Sequence, residues 1–369
     1  MLFEEKLLEK VKSFIQTDVM DKARYYDINE VFPERLWRIL TRDLRIFELL
    51  VDYPTNKKGF RTFLEIIRLL SKEFSSLASI AFTQGIYGVI LLQQFGTQQQ
   101  KEAYLADFIS CQKMVSFAFS EKDIDLEREA PTTIARQTET GWVLSGHKHK
   151  IANVTMADVV LILATTIDPY GEKGTGIFIA DLPNKKVTLG PSIDKIGLRA
   201  MPLAFLHFDS LTLSKESLLG QIQDGFFQWG KIIQVMWLAS AAQSLGIAEG
   251  AFEKGLSCCQ LKRNFGKRPI DVEINQFKFA DMKTKLAACE AYYNNCILHQ
   301  MEDENAAAIL RVLSSETARV VADEAIRITG TYSFVAGNDI ERYVRDAAVA
   351  SIYGGSTDGL RRKIAKDWL

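Results

Sequence analysis

The sequence predicts an α+β chain laid out as a helical domain, a β domain and a second helical bundle. Two switches of hydrophobic period predict it. Apolar residues recur at spacings of three and four up to about residue 112, alternate from Val115 to Leu213, and return to helical spacing after Leu219-Gly220. The units expected are residues 1–113, 114–218 and 219–369, and a length of 369 residues suits two or three domains. With 47% apolar and 25% charged residues the chain is neither disordered, collagen-like nor disulfide-dense. Lys and Arg number 45 against 46 Asp and Glu, so the net charge is −1 and no overall basic field exists to hold nucleic acid or an anionic membrane.

In the first unit Leu7, Leu8, Val11, Phe14 and Ile15 share one helical face, as do Phe63, Ile66, Ile67 and Leu70. Turn signals at Asp27 to Asn29, Tyr53-Pro54 and Phe95-Gly96-Thr97 divide this unit into several helices. Thr97 with Gln100 three residues on is a capping-box pattern opening a helix from Gln98 to Ser110. Phe74 to Gln100 runs 27 residues without a charge. It holds Ser75, Ser76, Ser79, Thr83, Gln84, Gln93 and Gln94 and lacks a run of about 18 apolar residues, so it reads as a buried helix and no membrane span is expected. The start shows no basic segment followed by an apolar one, so no signal peptide is expected. The five cysteines are odd in number and form no Cys-x-x-Cys pair, which points to a reduced, cytoplasmic chain.

The second unit is a series of short β-branched and aromatic segments separated by Thr140-Gly141, Asp168-Pro169-Tyr170-Gly171 and Leu182-Pro183-Asn184, the pattern of a compact β domain. His147 and His149 fall on one face of a strand with no carboxylate or cysteine completing a set, so they read as solvent-facing residues and no metal is expected. In the third unit helical stretches are expected at 222–263, 272–301, 303–330 and 339–365. Cys258-Cys259 reads as two small buried residues, since a bond between helical neighbours would be strained.

No Gly-x-Gly-x-x-Gly follows a strand and no Walker-type loop is present, so a nucleotide site must be built differently. Two segments hold unusual chemistry. Leu261-Lys262-Arg263-Asn264-Phe265-Gly266-Lys267 gathers cations and an aromatic at a helix end; on its own it is a charged cap worth some tenths to about 1 kcal/mol. Glu341-Arg342-Tyr343-Val344-Arg345-Asp346 precedes Tyr353-Gly354-Gly355-Ser356-Thr357-Asp358, where a glycine pair and hydroxyls at a helix start either break a helix or offer N–H groups to a diphosphate or carbonyl.

In order along the chain, these pieces resemble the acyl-CoA dehydrogenase superfamily from about residue 20 to 369. Gly96-Thr97, Gln100-Lys101 and Tyr104-Leu105 resemble its Gly-Thr-x-x-Gln-Lys-x-x-Tyr-Leu helix start. Lys195-Ile196-Gly197-Leu198-Arg199 followed by Phe208-Asp209 resembles its Lys-x-Gly-x-Arg region, Phe265-Gly266 its Arg-x-x-Phe-Gly turn, and Arg342, Arg345-Asp346 and Tyr353 to Ser356 its closing signatures. The resemblance implies a helical N-terminal domain, a β-barrel-like middle domain and a C-terminal four-helix bundle. It also implies FAD between the last two, a neighbouring subunit closing the site, and a homodimer or homotetramer.

By position, Phe119 and Ser120 match the strand touching the flavin ring, and Ile151 and Ala152 the second flavin-edge strand, where a usual hydroxyl is lost. Lys262 stands for a diphosphate-binding arginine and keeps charge while losing the bidentate fork. Phe265 and Gln276 match further cofactor contacts; Arg327, Gly330 and Thr331 match a loop meeting FAD across the subunit interface; Ser356 and Asp358 match the pair beyond the closing signature.

The chain diverges at the base. Family chemistry removes a proton next to a thioester while hydride goes to flavin, and the glutamate that takes the proton sits where this chain has Gly354 or, in other members, Met236, which here neighbours Trp237. Losing a positioned base typically costs about 10² to 10⁴ in rate. Asp125, Glu127, Asp358 and Glu121 are the candidate replacements. The Gly-x-Gly-Ser-Asp turn is replaced by the acidic Lys122-Asp123-Ile124-Asp125-Leu126-Glu127, expected to repel CoA phosphates. The expected function is therefore an FAD-dependent oxidation of a small acyl thioester, carried on CoA or on a carrier protein, with electron-transfer flavoprotein or O₂ as acceptor. A flavin monooxygenase of the same fold and a catalytically silent assembly homologue are the alternatives.

Overall fold

The computed structural model describes residues 3–221, 223–263, 266–335, 337–353 and 355–368. Helix α1 (Phe3–Phe14) passes through a π turn into α2 (Met20–Asn29), and α3 (Glu34–Arg38) follows. Helix α4 (Lys57–Thr83) is opened by Asn56, whose side chain accepts from the Gly59 N–H at 2.9 Å, and continues through a π segment into α5 (Leu91–Phe95). The helix from Lys57 to Phe95 is apolar enough to cross a membrane by length and composition, yet its most apolar window is wholly buried in the protein. Helix α6 (Gln98–Ser110) starts on the expected capping box, with Thr97 and Gln100 bonding each other's backbone reciprocally.

The middle of the chain forms a seven-stranded curled sheet: β1 (Val115–Ala118), β2 (Ile134–Gln137), β3 (Gly141–Ala152), β4 (Val159–Ile167), β5 (Lys173–Asp181), β6 (Val187–Leu189) and β7 (Leu203–Ser214). Strand order is β1-β4-β2-β3-β7-β6, with β5 on the other edge of β4. Along one edge of β4, β1 pairs in parallel with Val159 to Ile162 and β2 with Thr165 to Ile167. This strand is covered on both faces. Val159, Leu161 and Leu163 join the large core shared with the helices, while Val160, Ile162 and Ala164 join a smaller core around Trp142, Phe178 and Phe208.

Asp224 caps α7 (Gly225–Gln260), and α8 (Glu273–His299), α9 (Glu304–Thr329), α10 (Ile340–Ala350) and α11 (Thr357–Ala365) complete the bundle. The single helical stretch expected at 339–365 is divided. Gly355 has φ +113°, a value L side chains rarely adopt, and Ser356 accepts from the Gly359 N–H at 3.1 Å to start a new helix. Two of the resembling segments meet here: the Asp346 carboxylate accepts the Leu198 N–H at 2.7 Å, and a side chain at Gly197 would collide with the Arg345 carbonyl. Arg345 also reaches Asp27 at 2.6 Å, so these segments join the sheet, the bundle and α2.

Candidate active site

Phe119 and Ser120 follow β1, and their backbone is held from both sides. Lys148, buried in β3, donates from Nζ to the Phe119 carbonyl at 3.1 Å, and the His149 N–H donates to the Ser120 carbonyl at 2.9 Å. Lys148 also pairs with Glu121 at 2.6 Å. Glu121 accepts in addition from the backbone of Thr132 at 2.7 Å and of Thr133 at 3.0 Å, and from the Thr132 hydroxyl. Burial raises the Glu121 carboxyl, but Lys148 and these hydrogen bonds outweigh it and bring it down to about 2. A carboxylate so stabilised is a weak proton acceptor, which removes Glu121 from the candidate bases; it is a structural anion. The Phe119 ring packs against Tyr87, Phe117 and Trp229 at 6.2, 5.2 and 6.4 Å between centroids.

Ile151 and Ala152 end β3 directly beside this strand, and the Ala152 carbonyl accepts from the Ser116 hydroxyl at 2.8 Å. The two strand ends expected at the flavin edge are thus brought together. A bulge with Lys150 at φ +58° shifts the register between Lys148 and Ile151 and sets the direction of these last residues. His147 and His149 lie on the opposite face from Lys148: His147 stacks on His207 at 4.2 Å and His149 lies parallel to Phe205. No group of three potential metal ligands occurs among the described residues.

A second cluster lies at the far end of α7. Lys262 is exposed, and the neighbouring Arg263 guanidinium lies 3.3 Å from the centroid of Tyr332, which joins this turn to Gly330 and Thr331 after α9. Nε and Nη1 of Arg263 are buried without a partner, and no carboxylate pairs with Lys262 or Arg263 among the described residues. Two uncompensated cations suit the diphosphate of a flavin dinucleotide. Arg327 is exposed and paired with Asp323 at 2.9 Å, and Gln276 donates to the Ile270 carbonyl at 3.0 Å. Phe265 lies outside the described residues. Trp229, beside Phe119, and Gln260 are separated by roughly 45 Å of helix at 1.5 Å per residue. That exceeds the reach of one dinucleotide, so a single chain cannot supply both clusters to the same flavin.

The third part is the turn between α10 and α11. The Tyr353 ring packs on Phe82 at 6.0 Å, and its carbonyl accepts from Arg311 at 2.8 Å. A side chain at Gly355 would approach Trp237 Nε1 to 3.8 Å. Met236 and Trp237 are buried, and Lys363 stands over the Trp237 ring at 5.7 Å. Gly354 lies outside the described residues. The acidic turn is not the free charge expected: Asp125 and Glu127 pair with Arg362 of α11 at 3.3 and 3.0 Å, and Arg128 approaches Asp125 at 3.7 Å. Asp358 is paired with Arg361 at 2.6 Å and is 81% exposed, which turns it outward, while Ser356 caps α11.

Two buried cations escaped the sequence reading, Lys148 and Arg311, and Arg263 enters it only as one of the cations in the turn from Leu261 to Lys267. Lys148 occupies an inward register between two outward histidines, and Arg311 is a lone charge in the apolar run Ala306 to Leu313, signals that could have marked both as buried cations.

Residues 3–112, 116–211 and 223–369 match the N-terminal, middle and C-terminal domains of acyl-CoA dehydrogenases. The chain is 30% identical over 368 residues to the human short-chain specific mitochondrial acyl-CoA dehydrogenase, covering 98% of this chain and 89% of that one. Its fold matches butyryl-CoA dehydrogenase from Megasphaera elsdenii with a TM-score of 0.91 at 24% identity, over 99% and 97% of the two chains. The prolyl acyl carrier protein oxidase AnaB matches with a TM-score of 0.86 at 22% identity, over 99% and 98%. With three domains matched in order along one chain, this protein belongs to the acyl-CoA dehydrogenase family of flavin-dependent oxidoreductases.

Proposed function

We propose that this protein binds FAD and dehydrogenates a small acyl thioester delivered on an acyl or peptidyl carrier protein. The observation that carries this reading is the contrast within the site. The two flavin-edge strands are built and anchored, whereas the turn beside them is acidic and clamped to α11 by Arg362. With Arg128 and Arg362 set against its four carboxylates, the turn from Asp123 to Glu129 keeps two net negative charges, which disfavours the phosphate-rich CoA nucleotide more than a lone pantetheine arm. The likeness to a carrier-protein oxidase is in keeping with it.

Phe119 and Ser120 would border the flavin ring, and Lys262 and Arg263 of a partner copy would meet the diphosphate. The helix length separating these clusters supports a homodimer or homotetramer. When bound, the flavin supplies the hydride acceptor. Of the carboxylates offered as base, Glu127 is the best positioned: its Oε1 would lie 2.6 Å from a Cβ at Gly359, in the first turn of α11, directly after the Tyr353 to Ser356 turn. Arg362 fixes its position at 3.0 Å, and from there it would take the α-proton. Lys148, through the Phe119 carbonyl, holds the strand that orients the ring. The five cysteines are free and buried, which accords with work in the cytoplasm.

The test is anaerobic titration of the FAD-loaded protein with butyryl-pantetheine on a carrier protein and with butyryl-CoA. Carrier-linked substrate should bleach the flavin much faster; equal rates would reject carrier delivery, and no bleaching by either would reject the dehydrogenase reading. Glu127→Gln should lower the bleaching rate by about 10² to 10⁴ with FAD binding unchanged.

A further inference from the structure

Arg311 lies fully buried in the middle of α9. Its Nη2 donates to the Tyr353 carbonyl at 2.8 Å, but Nε and Nη1 are buried with no partner. Burial alone pushes the guanidinium down to about 10, which leaves it charged at neutral pH, and among the described residues no anion opposes it. The other fully buried arginine of the bundle shows the usual arrangement: Arg342 is neutralised by Asp339 at 2.6 Å with Asp346 at 3.9 Å. Removing a charge from water without a counter-charge is strongly unfavourable, so a lone buried guanidinium marks a place for an incoming anion.

The position is informative. Tyr353, to which Arg311 is bonded, belongs to the turn that faces Phe82 and Trp237. Ser240 sits one helical turn beyond Met236 on the same face of α7, and its hydroxyl is also buried without a partner. Gly255 lies against Ala325, and Lys363 connects Trp237 with Glu304, so α7 and α9 run parallel and Ser240 is level with Leu310 and Arg311. A cation with two unsatisfied nitrogens therefore backs the turn on which the dehydrogenase reading centres, and an unsatisfied hydroxyl lies at the same level on the neighbouring helix. Neither Met236 nor Gly354 supplies a carboxylate to them.

We infer that Arg311 receives a carboxylate borne by the acyl chain of the substrate, with Ser240 beside it, so that this site takes acyl thioesters of dicarboxylic acids in preference to neutral ones. A carboxylate is the anion a short acyl chain carries without bringing a bulky headgroup among Phe82, Tyr353 and Trp237. The inference rests on the flavin and thioester reading above and adds to it the charge of the acyl group.

The FAD-loaded protein, titrated anaerobically with the pantetheine thioesters of succinate and butyrate, gives a dissociation constant for each from the perturbed flavin band. These two ligands differ in a terminal carboxylate against a methyl. Wild type should bind succinyl-pantetheine at least tenfold more tightly; Arg311→Met should abolish or invert that ratio, and Arg311→Lys should retain part of it. Equal affinities in wild type, or a ratio that Arg311→Met leaves unchanged, would overturn the assignment. Should Arg311→Met fail to fold, the wild-type ratio and its reduction in Arg311→Lys decide the matter. Tight binding and rapid bleaching by both thioesters would remove the specificity assignment alone, whereas no response to either would remove the dehydrogenase reading as well.

Discussion

Replacing Lys148 by methionine should expose how the Lys148–Glu121 pair acts. In the folded chain Glu121 falls from 4.5 to about 2, because Lys148 and the Thr132 and Thr133 donors outweigh burial. This contribution to stability is present above pH 4.5 and lost as pH falls towards 2. Lys148 is shifted by burial from 10.5 to about 8, resisted by Glu121. Its folded value lies below its unfolded one, so the charged lysine opposes folding below pH 8, and the penalty lifts as pH rises to 10.5. At pH 7 both groups are charged, and each is the other's counter-charge. Removing Lys148 alone leaves a buried carboxylate with no counter-charge, which should cost about 3 to 5 kcal/mol. Lys148→Met together with Glu121→Gln removes both charges and should recover most of that loss. Because three packed units do not unfold in one step, the readout is amide hydrogen exchange of the whole chain, followed at β1 and residues 132–137 against α8 and α9 as internal control. A loss below about 1 kcal/mol in Lys148→Met, or a double variant no better than the single one, would refute this account of the pair.

Three further outcomes are expected. Lys262→Arg restores a planar fork beside Arg263 and should tighten FAD binding by roughly tenfold in an equilibrium titration of apoprotein, with weaker salt dependence than the wild type. Burial raises the Asp346 carboxyl to about 6 against the opposing pull of Arg342 and the Leu198 N–H. Its stabilising effect is complete below pH 3.8 and lost as pH rises through about 6, so Asp346→Asn, followed by thermal unfolding, should flatten that part of the pH profile. At Gly146, φ is +150° and a Cβ would lie 2.6 Å from Thr133 Cα, so Gly146→Ala should lower protection of β2 and β3 by about 1 to 3 kcal/mol in the same exchange experiment.

The features readable from the sequence are those whose cause is local. Strand alternation from Val115 to Leu213 and the Thr97–Gln100 box each depend on neighbours within a few residues, and both appear in the fold. Partners distant in sequence were not readable in this way. Glu121 looked like a spare carboxylate until Lys148 closed on it, and the acidic turn at Asp123 to Glu129 looked repulsive until α11 brought Arg362 to Asp125 and Glu127. A local count of charges overstated the negative potential at that mouth because the cation that offsets it comes from the opposite end of the chain. The converse error occurs at Arg311, a single charge in an apolar run that sequence alone would credit with some nearby carboxylate. Gly197 and Asp346 show why motif spacing is informative even where distance is not: the glycine lets the backbone approach Arg345, and the aspartate then accepts the Leu198 N–H. Two motifs that look independent in sequence are the two halves of one contact, so their joint presence constrains how the sheet docks on the bundle. That docking sets where Phe119, Ile151 and Tyr353 stand, and on the proposals made above the charges of Arg311 and Glu127 select the substrate brought to them.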